Sequence, residues 1–73
     1  MDFDTSKVVK INKYENRIKF DDILSNENID SEKFNSFMYG QGCPVIDNII
    51  YVSIFDFERF CYINNLYIKY IEK

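Results

Sequence analysis

The sequence predicts a small α+β domain, because two segments alternate apolar and polar residues while two others space their apolar residues as helices do. The chain has 73 residues. A chain of that length forms a single domain, residues 1–73, and buries only about 60% of the surface that its unfolded form exposes. We predict the order β-β-α-β-α: a small antiparallel sheet of three to four strands, a short helix, and a long C-terminal helix packed on one face of the sheet.

The first two strands are predicted to form a hairpin. Val9 and Ile11 share one face of the first strand, Ile18 and Phe20 share one face of the second, and the polar residues 13–16 lie between them. Lysines on the outer face of this hairpin are typical of strands that avoid edge-to-edge pairing. The alternative is an RNA contact through the basic and aromatic residues Lys10, Lys13, Tyr14 and Arg17.

A short helix is predicted to follow a polar loop. Asp30 is placed to cap it, and Ile29, just before the cap, is placed to pack on Phe34. The apolar face of this helix extends from Phe34 to Met38. Gly40 is placed to end it, because glycine readily adopts the left-handed conformation that often follows a helix.

The next strand is predicted to be central in the sheet, since residues 49–55 are apolar on both faces. A turn at Asp47 and Asn48 favours a short extra strand from Val45 and Ile46 before it.

A helix is then predicted to run to the C-terminus. Asp56 is its expected N-cap, with Phe55 packing on Phe60 as a hydrophobic staple. One apolar stripe of this helix faces the core, interrupted at Asn64. A second row, displaced from the first, is predicted to be an oligomer interface formed by Arg59, Tyr62, Ile63, Leu66 and Tyr70. Homodimerisation is its leading use, with the sheet or a different protein as the alternative cover.

The charge of the chain is unevenly distributed. The net charge is −3, but residues 21–58 carry eight acidic residues against one lysine, a net charge of −7. An acidic surface repels nucleic acid and attracts proteins that bind it. Helix N-termini explain some of these acids, so the remainder is either solvated surface or a partner-binding surface. The predicted partner-binding residues are Asp21, Asp22, Glu27, Asp30, Glu32 and Asp47.

The sequence does not favour catalysis. It contains no histidine, the residue that most often serves as a general acid or base near neutral pH. Cys43 and Cys61 have no CxxC spacing and are predicted to be reduced thiols, with a disulfide as the alternative. A fold this small also has little room for a ligand pocket of about 300 Å³ or more. We predict a protein without enzymatic activity, cofactor or metal.

No apolar stretch approaches the roughly 20 residues that span a bilayer, and the N-terminus has acids where a signal peptide has basic residues. The protein is therefore predicted to be soluble and cytoplasmic.

The sequence lacks Ala, Trp and His and is rich in Ile, Asn, Lys, Tyr and Phe, residues whose codons are rich in A and T. In its size, acidity, aromatic content and use of these residues, the chain resembles the small acidic host-takeover inhibitors that phages of low-GC bacteria make. The resemblance implies a stoichiometric inhibitor in the host cytoplasm, of the DNA-mimic type. Its partner would be a host protein with a basic nucleic-acid channel, such as a sliding clamp, polymerase or nuclease, and not nucleic acid itself. The alternative is a structural or adaptor module that oligomerises through the C-terminal helix.

Overall fold

A computed structural model describes residues 5–72 of the chain. A 3-10 turn at Thr5–Lys7 precedes eight helices and strands, in the order β1 Val8–Lys13, β2 Arg17–Lys19, α1 Phe20–Leu24, α2 Ser31–Met38, β3 Val45–Ile46, β4 Ile49–Ser53, α3 Ile54–Ile63 and β5 Tyr67–Glu72. The α+β class is confirmed, but the element order differs from the predicted β-β-α-β-α.

The strands form two small sheets. β1 pairs with β5 in parallel, while β2, β4 and β3 form an antiparallel sheet with β4 in the centre. A two-residue turn joins the two sheets, and Tyr14 and Arg17 exchange backbone hydrogen bonds of 2.9 and 3.1 Å around it. β1 and β2 pair only at this bridge and belong to different sheets, so the predicted hairpin is present only at its tip. The central position predicted for β4 is confirmed.

The short extra strand before β4 is also present. Asp47 and Asn48 have φ angles of 52° and 65°. A two-residue hairpin turn with both residues at positive φ is of type I′, which matches the twist of the strands that it joins and favours Asp and Asn. β3 and β4 therefore form a hairpin whose tip is this turn.

α2 begins and ends as predicted. The Asp30 carboxylate accepts hydrogen bonds from the backbone N–H groups of Glu32 and Lys33, at 3.0 and 3.2 Å. Ile29 and Phe34 are both buried in the core. After the helix, Gly40 has a φ of 81°, the left-handed conformation for which glycine was predicted there.

α3 begins earlier than predicted. Its N-cap is Ser53, whose hydroxyl accepts a hydrogen bond of 3.3 Å from the backbone N–H of Phe55, so Asp56 lies within the first turn and is not the cap. β4 thus passes directly into the helix. As a result Phe55 points outward and does not pack on Phe60: 77% of its surface is exposed.

α3 also ends earlier than predicted, at Ile63. The N–H of Leu66 donates to the carbonyl of Cys61 at 2.8 Å, and the N–H of Asn65 donates to that of Tyr62 at 3.3 Å. Asn65 has a φ of 57°. These three features define a Schellman motif, in which a left-handed residue after the helix satisfies its last carbonyl groups and turns the chain away. Residues 67–72 therefore form β5 and not the end of a long helix.

The core lies between the strands and the helices. Its aromatic centre is formed by edge-to-face pairs, with ring centroids 5.0 Å apart for Phe34 and Phe60, 5.4 Å for Phe20 and Phe34, and 5.5 Å for Phe37 and Phe60. Edge-to-face pairs of this kind stabilise a core beyond the area that they bury. Phe20 and the buried Ile23 reach this core from α1, a helix that the sequence analysis did not predict.

Candidate protein-binding surface

α3 has one buried side and one exposed side. Ile54, Phe57, Phe60 and Cys61 are buried against the sheet and α2. On the opposite side, Phe55, Tyr62 and Ile63 are 77%, 85% and 60% exposed. Phe55 and Tyr62 are seven residues apart, about two helical turns, with Arg59 between them on the same side. Glu58 is also exposed on this side. We refer to Phe55, Glu58, Arg59, Tyr62 and Ile63 as the α3 face.

The exposed aromatic area of the α3 face is comparable to the largest apolar patch of a typical monomer. Taking roughly 150 to 250 Å² for each aromatic side chain, the exposed fractions of Phe55 and Tyr62 leave about 240 to 400 Å² in contact with water. The largest apolar patch of a typical monomer is about 300 to 600 Å², and such patches are often functional. Aromatic residues and arginine are also the residues enriched at the centres of protein interfaces.

The charged groups of the α3 face are held in place by short-range contacts. The Arg59 guanidinium lies 3.4 Å from the Asp56 carboxylate and 5.3 Å from the centroid of the Phe37 ring. Glu58 accepts a hydrogen bond of 3.1 Å from the Tyr70 hydroxyl. The α3 face therefore presents one arginine and one neighbouring glutamate in defined positions.

Two titratable groups beneath this helix stay neutral at ordinary pH. Burial, together with the negative charge of the nearby Glu58, raises the pKa of the Cys61 thiol to about 12. Burial and the hydrogen bond to Glu58 likewise raise the pKa of Tyr70 above its usual value. A thiol that stays protonated is a poor nucleophile and a poor metal ligand. Cys43 and Cys61 are both free thiols, as predicted.

The predicted oligomer interface is only partly assembled by the fold. Arg59, Tyr62 and Ile63 lie together on α3, but Leu66 and Tyr70 do not share a helix with them. Both are partly buried against the core. Sequence reasoning missed Phe55, which the Ser53 cap places on the exposed side. The signal that could have found it is the serine between a strand and a run of helix-forming residues.

The predicted acidic surface is spread over several elements. Asp21 and Asp22 lie on α1, Glu27 lies in the loop after it, and Asp30 and Glu32 lie at the start of α2. Asp47, in contrast, lies at the tip of the β3–β4 hairpin. Asp22 is half-buried, and one of its carboxylate oxygens is shielded from solvent without a hydrogen-bond partner among the described residues.

The β3–β4 hairpin is a second exposed apolar feature. Its side chains Val45, Ile46, Ile49 and Ile50 are between 37% and 61% exposed. Since successive residues of a strand point to opposite sides, both faces of this hairpin present aliphatic groups to solvent.

Comparisons of the chain with protein-family models, with curated proteins and with solved structures find no match. Within residues 5–72, the structure contains no helix long and apolar enough to cross a membrane. Over the same residues there is no group of three or more acidic or cysteine side chains arranged to hold a metal ion.

Proposed function

We propose that the protein is a non-enzymatic assembly module that acts as a homodimer, with the α3 face of one copy packed against the α3 face of a second. The observation that carries this proposal is the exposure of Phe55 and Tyr62 on one side of a helix whose other side is fully used by the core. A domain of this size gains stability when such a surface is covered by a second copy.

The α3 face is self-complementary. In a symmetric dimer with antiparallel α3 helices, a two-fold axis passing between Glu58 and Arg59 places Phe55 of each copy opposite Tyr62 of the other. The same axis places Glu58 of each copy opposite Arg59 of the other. A two-fold interface requires this reciprocity, because each contact occurs twice. The aromatic pairs lie on either side of the axis and the ion pairs lie near it.

The size of the surface indicates a modest affinity. The α3 face is smaller than the roughly 800 Å² per partner of a standard stable interface. We therefore expect a dissociation constant in the micromolar range. A dissociation constant of 1 μM corresponds to a binding free energy of about −8 kcal/mol.

Charge reversal on the α3 face tests this arrangement. Glu58→Arg and Arg59→Glu should each raise the dissociation constant roughly 10-fold to 100-fold, because two attractive pairs become repulsive. An equimolar mixture of the two variants should form a heterodimer, since two adjacent arginines of one chain then face two adjacent glutamates of the other. Sedimentation velocity measures both effects.

The mixture is its own control for damage to the fold, because a misfolded variant cannot be rescued by its complement. Failure of the mixture to dimerise, with both variants folded, would contradict the proposed pairing.

A second function is favoured by a separate observation. Asp21, Glu27, Glu32 and Asp47 are exposed and form no ion pair with the residues that the structure describes. An acidic inhibitor of the DNA-mimic type, bound in the basic nucleic-acid channel of a host protein, needs carboxylates that are available in this way.

Reversal of the four exposed acids, Asp21, Glu27, Glu32 and Asp47, to lysine separates the two functions. If the protein is an inhibitor of this type, the tagged wild type should retain a nucleic-acid-binding protein that duplex DNA displaces, and the charge-reversed variant should lose it. A variant lacking the aromatic groups of the α3 face, Phe55→Ala with Tyr62→Ala, is the control and should keep it. Retention by the charge-reversed variant, or indifference to DNA, would exclude the acidic surface as the binding site.

A further inference from the structure

An open groove of about 880 Å³ lies along the β1–β5 pair, on the side turned away from the core. Val9 and Ile11 of β1 are buried, so the alternate residues Val8 and Lys10 point to the outer side. The parallel register places Lys10 beside Lys69 of β5. The groove is much larger than the sequence analysis expected for a chain of this length.

The two lysines are an unusual pair. Adjacent strands are about 4.8 Å apart, and like charges directly across a strand pair are destabilising. Neither lysine forms a salt bridge with any residue in the described part of the chain. Both are exposed and both line the groove. A negatively charged ligand seated between them would remove the repulsion.

Three other cationic residues of β1 and β2 lie close to aromatic rings. Lys13 lies 5.2 Å from the centroid of the Tyr70 ring, and Lys19 lies 4.9 Å from that of Tyr14. Arg17 lies 5.0 Å from that of Tyr51. These three cations, which lie in the segment that the sequence suggested as an RNA contact, therefore contact aromatic rings of the protein itself. Lys10 and Lys69 instead line the groove.

The wall of the groove is anchored by side-chain amides. Asn26 donates to the backbone carbonyl of Lys10 at 3.1 Å, and Asn28 donates to that of Val8 at 2.7 Å. These bonds fix the loop after α1 along the edge of β1, where a further strand would otherwise pair. Glu27, between the two asparagines, is the acidic residue of the lining, and Tyr67 of β5, a residue that is 61% exposed, also lines the groove.

We propose that this groove binds a phosphate-bearing ligand, with the phosphate group held between the ammonium groups of Lys10 and Lys69. Lysine ammonium groups are common phosphate ligands because they act as compact point charges with three donors. The groove volume lies in the range of about 300 to 1,000 Å³ found for small-molecule sites. The ring of Tyr67 offers a planar surface beside the phosphate position. The phosphate is that of a free nucleotide or of a nucleic-acid strand.

The test is a titration of the isotope-labelled protein followed by amide chemical shifts, with inorganic phosphate, adenosine triphosphate, a short oligothymidylate and adenosine as separate probes. The three phosphate-bearing probes should shift the amides of Lys10 and Lys69 at millimolar concentration, and adenosine should not. Tighter binding of the nucleotide or of the oligonucleotide identifies the source of the phosphate.

Lys69→Glu should weaken phosphate binding at least 10-fold. It should not lower the melting temperature, because it converts a like-charge pair into an attractive one. Lys33→Glu, on the exposed surface of α2, changes the net charge equally and should leave binding unchanged. Lys69→Glu should also leave dimerisation intact, so this inference and the proposed function can fail separately. Absence of shifts with every phosphate probe, equal binding by Lys69→Glu, or equal loss in Lys33→Glu would overturn the proposal.

Discussion

Replacing Phe55 and Tyr62 together by alanine is expected to convert the dimer into a monomer. Both side chains lie at the proposed two-fold interface, so the double substitution removes four aromatic groups from one dimer. Aromatic residues that act as interface hot spots each cost about 2 kcal/mol or more of binding free energy when truncated to alanine. The dissociation constant should therefore rise at least about 1000-fold, which sedimentation equilibrium can measure.

Tyr39→Ala is the matched control for this experiment. Tyr39 follows α2 and is 89% exposed, so it offers a comparable exposed aromatic group outside the α3 face. Its removal should leave the dissociation constant unchanged. Equal weakening by Tyr39→Ala, or a dimer that survives loss of both Phe55 and Tyr62, would show that the α3 face is not the interface.

Replacing Phe34 by alanine is expected to remove a large part of the free energy of unfolding, and all of it if the protein lies at the low end of the usual stability range. Phe34 is fully buried and its ring contacts those of Phe20 and Phe60. Truncation of a buried phenylalanine costs about 3 to 5 kcal/mol. At roughly 0.05 to 0.15 kcal/mol per residue, a chain of 73 residues has a free energy of unfolding of only about 4 to 11 kcal/mol.

Urea denaturation monitored by circular dichroism measures this effect. Tyr39→Ala, at an exposed position, should stay within about 0.5 kcal/mol of the wild type. A loss below about 1 kcal/mol in Phe34→Ala would mean that the aromatic centre is not packed as described.

Local signals in the sequence predicted the elements that depend on neighbouring residues. The Asp30 cap, the left-handed Gly40 and the Asp47–Asn48 turn each act within a few residues, and each is present in the structure. The pairing of β1 with β5 joins segments almost sixty residues apart in the sequence. Such a pairing leaves no local signal, so sequence reasoning could not find it.

The C-terminal segment was misassigned because its pattern fits two structures. Ile68 and Ile71 are three residues apart, as on a helix, while Ile68 and Tyr70 alternate with Lys69, as on a strand. The helix ends before this segment because Asn65 adopts the left-handed conformation that terminates α3, which asparagine tolerates. The segment therefore forms a strand. The same misassignment placed Leu66 and Tyr70 at the predicted interface and left Phe55 out of it.

The measurement that tests the central claim most directly is sedimentation equilibrium of the wild-type protein across the micromolar concentration range. If the protein is a homodimer, its apparent mass rises with concentration from 8.8 kDa towards twice that value. The double variant Phe55→Ala, Tyr62→Ala should keep the lower mass at every concentration. A wild-type mass of 8.8 kDa up to about 1 mM would contradict self-association through the α3 face.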